Sequence, residues 1–178
     1  GPSELVLEDF HWSSYNWLAV HGNRLAYRER LFPPGRARTV IENLATGETR
    51  ALEPPPLAPT DWSRDGRFLL ARVLPGADLV ICEAPAFDCE PIRHDGKPVG
   101  GARPRWSADE QRVFFRRIRH DKPGYAWIWA VDRNGGEPER LVEIGPSDPD
   151  DGVFFGVAYD DSLVWNEVEP HGGSEIWV

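Results

Sequence analysis

Residues 104–117 read PRWSADEQRVFFRR, and residues 59–73 read PTDWSRDGRFLLARV. In both, a tryptophan that follows a proline stands before a short polar turn, and an apolar run of strand length comes after it. Trp62 and Trp106 are 44 residues apart, and Trp17 lies 45 residues before Trp62. A fourth copy has Val157 where the tryptophan would fall, a step of 51, with the excess in PSDPDDG at 146–152. A period of this length marks a chain built from one repeated supersecondary unit.

Around these anchors the chain divides into short apolar runs separated by Gly and Pro turns, the pattern of antiparallel strands. ELVLEDF (4–10), NRLAYRERL (23–31) and RTVIENL (38–44) read as strands, ATGE (45–48) turns the chain, and TRAL (49–52) resumes extended structure. FLLARVL, DLVICEA and CEPIR follow in the second unit. The third has RVFFRRIR, YAWIWAVD, the turn RNGGE and PERLVEI, and the fourth has VFFGVAY, SLVWNEV and EIWV. EPPPLAP (53–59) is expected to lie outside helix interiors and central strands, because proline has no N–H to donate. Helical periodicity over twelve or more residues is absent, so the fold class is all-β.

The pattern P-x-W-S-x-D-G, an apolar strand ending in Asp, then x-x-G-G-E-P-x-x-L, resembles the WD40-like repeat of TolB-type β-propellers. PRWSADEQRVFF continuing to WIWAVDRNGGEPERLV carries it most fully, although Glu110 stands where the pattern has Gly. PTDWSRDGRFLL is the second copy. NWLAVHGNRLAY is a degenerate first copy with Trp17 and Gly22, and GVAYDDSLVW keeps only the turn acid Asp161. The resemblance implies small twisted sheets that bury their faces against one another. Trp62 and Trp106 would fill the wedges between blades, and Trp17 is the matching repeat residue of the first copy. Asp65, Gly66 and Asp109 would shape the turns, with Gly135 and Gly136 between the last two strands of the third blade. The expected architecture is a four-bladed propeller with blades near 11–55, 56–98, 99–145 and 146–178. ELVLEDF would supply the missing strand of the last blade and close the ring; an open fragment of a larger propeller, or a half that dimerises, is the alternative. Gly1-Pro2 reads as a cleaved-tag remnant and is left out.

The chain is acidic, with a formal net charge of −9. That argues against nucleic acid, whose binding needs a basic footprint. RRIRH (116–120) is the one local excess of positive charge. On a strand Arg117 and Arg119 share one face, and Arg116 and Ile118 the other, which suits a solvated or edge strand. No apolar run reaches transmembrane length, so membrane insertion is not expected of this segment. Cys82 and Cys89 have hairpin spacing, compatible with a disulfide or with two separate thiols. A bridge would favour an oxidising, periplasmic or extracytoplasmic compartment.

No nucleophile elbow, H-E-x-x-H or phosphate-binding glycine loop is present. His11, His21, His94, His120 and His171 read as solvated loop residues. Asp148, Asp150 and Asp151 could offer oxygens to Ca²⁺ but lack calcium-loop spacing, so neither metal nor cofactor is expected. The composition and the resemblance together imply a non-catalytic protein-interaction scaffold. Its binding face would carry His11, Trp12, Phe32, Arg36, Arg119, His120, Asp148, Asp150 and Asp151. A glycan or small-ligand sensor, and an accessory propeller of a peptidase-like enzyme, are the alternatives; monomer and dimer are equally open. If residues 4–10 close the ring, deleting them abolishes cooperative thermal unfolding. A deletion variant that still unfolds in one sharp transition would show that closure does not depend on them.

Overall fold

The structure is a computed structural model that describes residues 18–31, 36–145, 155–157, 162–168 and 174–177. All regular structure among them is β-strand. The first sheet holds β1 (Leu18–His21), β2 (Arg24–Leu31), β3 (Arg36–Asn43) and β4 (Glu48–Leu52). The second holds β5 (Leu57–Trp62), β6 (Phe68–Val73), β7 (Leu79–Glu83) and β8 (Asp88–Pro91). A small hairpin, β9 (Arg93–His94) with β10 (Lys97–Pro98), precedes the third sheet. That sheet is built of β11 (Ala102–Trp106), β12 (Arg112–Ile118), β13 (Ala126–Asp132) and β14 (Glu139–Ile144). β15 (Phe155–Val157), β16 (Leu163–Val168) and β17 (Ser174–Trp177) form the last. Every sheet is an antiparallel meander in chain order. The first strands of successive sheets touch, β1 with β5, β5 with β11 and β11 with β15, so they line the axis of a β-propeller.

Strand alternation lets each central sheet bury both faces. Leu69 and Ala71 of β6 pack with Ala19, Ala26 and Ile41 of the first blade and with Trp62. Leu70 points the other way and packs with Trp106, Val113 and Phe115 of the third. Phe114 then turns from the third blade toward Phe155 of the fourth. Trp62 and Trp106 therefore occupy successive interblade wedges, each 6% exposed. The Trp62 indole N–H donates to the Ala19 carbonyl at 3.2 Å, across the blade boundary.

The two Trp-Ser turns are built alike. The hydroxyls of Ser63 and Ser107 are buried and accept the N–H of Phe68 at 2.8 Å and of Arg112 at 2.9 Å. Each hydroxyl donates to the turn carboxylate, Ser63 to Asp65 and Ser107 to Asp109, both at 2.7 Å. Those carboxylates also accept the N–H two residues on, from Arg67 and Gln111. Gly66 has φ +69°, and a Cβ there would stand 2.5 Å from the His21 ring. Glu110, at the matching place, adopts φ 59° without being glycine, and its carboxylate accepts the Arg64 N–H of the neighbouring turn.

Pro59, expected outside central strands, lies in β5, and Pro104 lies in β11; both strands are sheet edges, and the register shifts beside each proline, so the missing N–H costs no ladder bond. Several other expectations are corrected. The strand expected at 38–44 starts two residues earlier, so Arg36 belongs to β3. Arg116 to Ile118 lie on an interior strand of the third sheet, not an edge strand. His21 ends β1 and packs on the next turn, and His94 sits in β9; neither is a free loop residue. Gly135, with φ +96°, and Gly136 do turn the chain between β13 and β14. Residues 4–10, Trp17 and Asp161 lie outside the described residues.

The side-chain hydrogen bond from Ser63 holds the Asp65 carboxyl below the usual range, and the Gln111 N–H does the same for Asp109. A depressed folded pKa stabilises above the unfolded value of about 4 and loses that contribution as pH falls through the folded value. The double variant Asp65→Asn, Asp109→Asn should melt lower than the parent at pH 7 in thermal scans. The gap should narrow as pH falls through the unfolded and then the folded carboxylate values.

Candidate functional site

The loop after β12 and the start of β13 bring charged and aromatic side chains together. Directly opposed residues of antiparallel strands share a face, so Arg117, Trp127 and Glu143 form one cross-strand row and Phe115 stands opposite Trp129 beside it. The Arg119 guanidinium lies 5.5 Å from the Trp127 ring centroid, and that of Arg140 lies 4.5 Å from the same ring. Arg117 covers Trp129 at 4.8 Å. The Lys122 ammonium sits over Tyr125 at 3.3 Å. Such cation–π contacts hold flexible cations in one arrangement over rigid rings.

Carboxylates tie the cluster together. Arg119 bonds to Glu143 at 2.6 Å and clasps Asp121, and Lys122 reaches Glu143 at 3.2 Å. The bond to Asp121, then that to Glu143, pulls the Arg119 pKa up. The hydrogen bond from Arg119 lowers the Asp121 carboxyl. Burial acts to raise Glu143, but the bonds from Lys122 and Arg119 outweigh it and hold it low. The result is an ordered surface of fixed charges around a half-buried tryptophan.

Of the residues singled out in the sequence, Arg119 is in this cluster and His120 is exposed beside it. Arg36 begins β3 in the first blade. His11, Trp12, Phe32, Asp148, Asp150 and Asp151 lie outside the described residues. Lys122, Tyr125, Trp127, Arg140 and Glu143 were missed. The alternation in YAWIWAVD already places Trp127 and Trp129 on one face, and Arg117 and Arg119 share a face of the preceding strand.

A second concave feature, a groove of about 710 Å³, lies between the outer edges of the first two blades. Arg50, Leu52, Pro54, Phe87, Asp88 and Pro91 are among its walls. Cys82 and Cys89 form a disulfide across β7 and β8. It closes the hairpin whose Phe87 packs edge-on against Trp62, with centroids 6.0 Å apart. Arg50 donates to the carbonyls of Pro85 at 2.6 Å and Ala86 at 2.8 Å, which docks the hairpin on the first blade.

No protein-family model matches the sequence, and the curated proteins give no match. Solved structures do. TolB from Acinetobacter baumannii superposes with a TM-score of 0.60 at 17% identity, over 86% of this chain and 37% of that one. The acylaminoacyl peptidase of Pyrococcus horikoshii gives 0.60 at 15% identity, over 95% and 34%. The β-propeller domain of the Trilobed protease from Pyrococcus furiosus, which has an open velcro topology, gives 0.56 at 16% identity, over 92% and 55%. The chain thus has a TolB-like propeller fold and spans between about a third and just over half of the length of these three structures.

Replacing both cysteines, Cys82→Ala with Cys89→Ala, should cost about 2–3 kcal/mol in denaturant unfolding, the loop entropy of so short a closed segment. Equal stability of parent and variant would show that the Arg50 and Phe87 contacts hold the hairpin without the bridge.

Proposed function

We propose that this chain is a non-catalytic, protein-binding propeller that docks its partner on the Arg119–Trp127–Arg140 surface of the third blade. The observation that carries this reading is the ordered cluster of arginines, Trp127 and Tyr125 at one blade end. Arginine, tryptophan and tyrosine are the residues in which interface energy concentrates. Their order is already paid for in the free protein, because carboxylates and rings hold each cation, so less side-chain entropy is lost on docking. A protein suits the site better than a sugar, because two guanidiniums already lie within 5.5 Å of the Trp127 ring centroid and a stacking sugar would compete with them. The disulfide favours a periplasmic or other extracytoplasmic setting, where such bonds persist. The peptidase-accessory reading has only the fold likeness behind it.

A pull-down from extract of the source cell at low salt tests this, with parent and Arg119→Ala, Trp127→Ala, Arg140→Ala baits side by side. A partner retained by the parent and lost from the folded triple variant is expected. Equal capture by both, or no capture by a folded parent bait, would refute it.

A further inference from the structure

The strand register exposes a second repeat that the tryptophans conceal. Arg28, Arg72 and Arg116 are separated by 44 residues twice over. They stand at equivalent places on the second strands β2, β6 and β12, three positions after the equivalent core residues Leu25, Leu69 and Val113. In each strand the residue two positions earlier faces the next blade: Ala26 joins the first interblade core, Leu70 the second and Phe114 the third. The arginines share those faces. Arg72 and Arg116 are directly opposed on the innermost strands by Ala58 and Ala102, again 44 residues apart. A small opposing side chain leaves room beside the inner strand for a guanidinium on the shared face.

Arg103 joins them from the innermost strand of the third blade. It lies at the register shift of β11 with φ 52°, a left-handed conformation that strains any residue with a Cβ and suits glycine. Strain of this kind persists where the side chain has a use. All four arginines are half-buried, with the Nε atoms of Arg28, Arg72 and Arg116 enclosed. Burial lowers the pKa of Arg72, Arg103 and Arg116, that of Arg116 to about 10, and their mutual charges add to it: Arg28 acts on Arg72, and Arg103 and Arg72 act on Arg116. All remain cations at neutral pH, so the fold concentrates like charge where water screens it poorly.

We propose that Arg28, Arg72, Arg103 and Arg116 form an axial receptor for one compact, multiply charged oxyanion of the phosphate class, either free or as the phosphoryl group of a larger molecule. A guanidinium presents five N–H donors in a planar fork, so it can keep contacts within the chain and still give a bidentate pair to an oxyanion. A phosphate group supplies about two negative charges on one centre, whereas a carboxylate supplies one. Three blades contribute to the receptor, so its occupation would also brace them against one another.

Isothermal titration of the 178-residue chain with inorganic phosphate, pyrophosphate and O-phosphoserine, at ionic strength matched with chloride, tests the assignment. Saturable one-to-one binding is expected for at least one of them, with a rise in melting temperature. Arg72→Gln should weaken it tenfold or more, and Arg67→Gln, on the exposed Glu83 pair, should leave it unchanged. Arg103→Gly relieves the backbone and should melt higher than the parent without ligand while binding more weakly. This variant keeps the test decisive if Arg72→Gln fails to fold. Binding of O-phosphoserine comparable to that of phosphate would assign a phosphoryl group on a larger molecule, and binding of the inorganic anions alone a free one. No saturable heat with any of the three, or undiminished affinity in Arg103→Gly and in folded Arg72→Gln, would overturn the proposal.

Discussion

The need to cover both faces of each narrow sheet governs this structure. A four-stranded meander of four- to eight-residue strands has too little surface to bury itself, so stability comes from the wedges between blades. Leu69 and Leu70, adjacent on β6, show the consequence. They are both fully buried, yet they belong to different cores on opposite sides of one sheet. A tryptophan at the end of β5 and of β11 fills the wedge, and the Ser–Asp turn behind each fixes where the next strand begins. The turns then link to one another. Arg24 of the first blade donates to the Gly66 carbonyl at 2.8 Å, and Arg64 of the second donates to the Ala108 carbonyl at 3.1 Å.

The fold was legible because this constraint leaves a periodic trace. Trp62 and Trp106 announce the period, and the Gly and Pro turns announce the strands. What eluded the sequence were features set by register. RRIRH looks like a solvated strand because its charges alternate, and alternation was indeed correct: Arg117 and Arg119 line the Trp127 and Trp129 face, while Arg116 turns to the other. The error lay in taking charge as a sign of an edge. Arg28 is one of three arginines in β2 and Arg72 stands singly in β6, and only superposition of β2, β6 and β12 reveals that they are one position. The prolines obey the rule applied to EPPPLAP: a missing donor bars a residue from an interior strand, and the inner strand of a propeller blade, where Pro59 and Pro104 lie, is an edge.

Two residues with positive φ separate structural from functional demands on the backbone. Gly66 and Glu110 occupy the same place in successive turns. Gly66 leaves room for His21, whereas Glu110 accepts strain and uses its carboxylate to cap the Arg64 N–H of the preceding blade. That exchange keeps the strain within the interblade linkage, so a role in assembly accounts for it. Arg103 also adopts a positive φ, and there burial and the charges of Arg105 and Arg72 lower its pKa.

Net charge and local charge therefore point to different chemistry. An overall charge of −9 disfavours the broad contact with a polyanion that counterion release would reward. It does not bear on a receptor for a single small anion, because beyond a Debye length of about 8–10 Å the acidic surface is screened by salt. Within that radius the proposed receptor depends on the guanidiniums that three blades contribute. An acidic exterior around such a receptor would admit a small, mobile anion and repel extended ones, a selectivity set by where the repeat places its arginines.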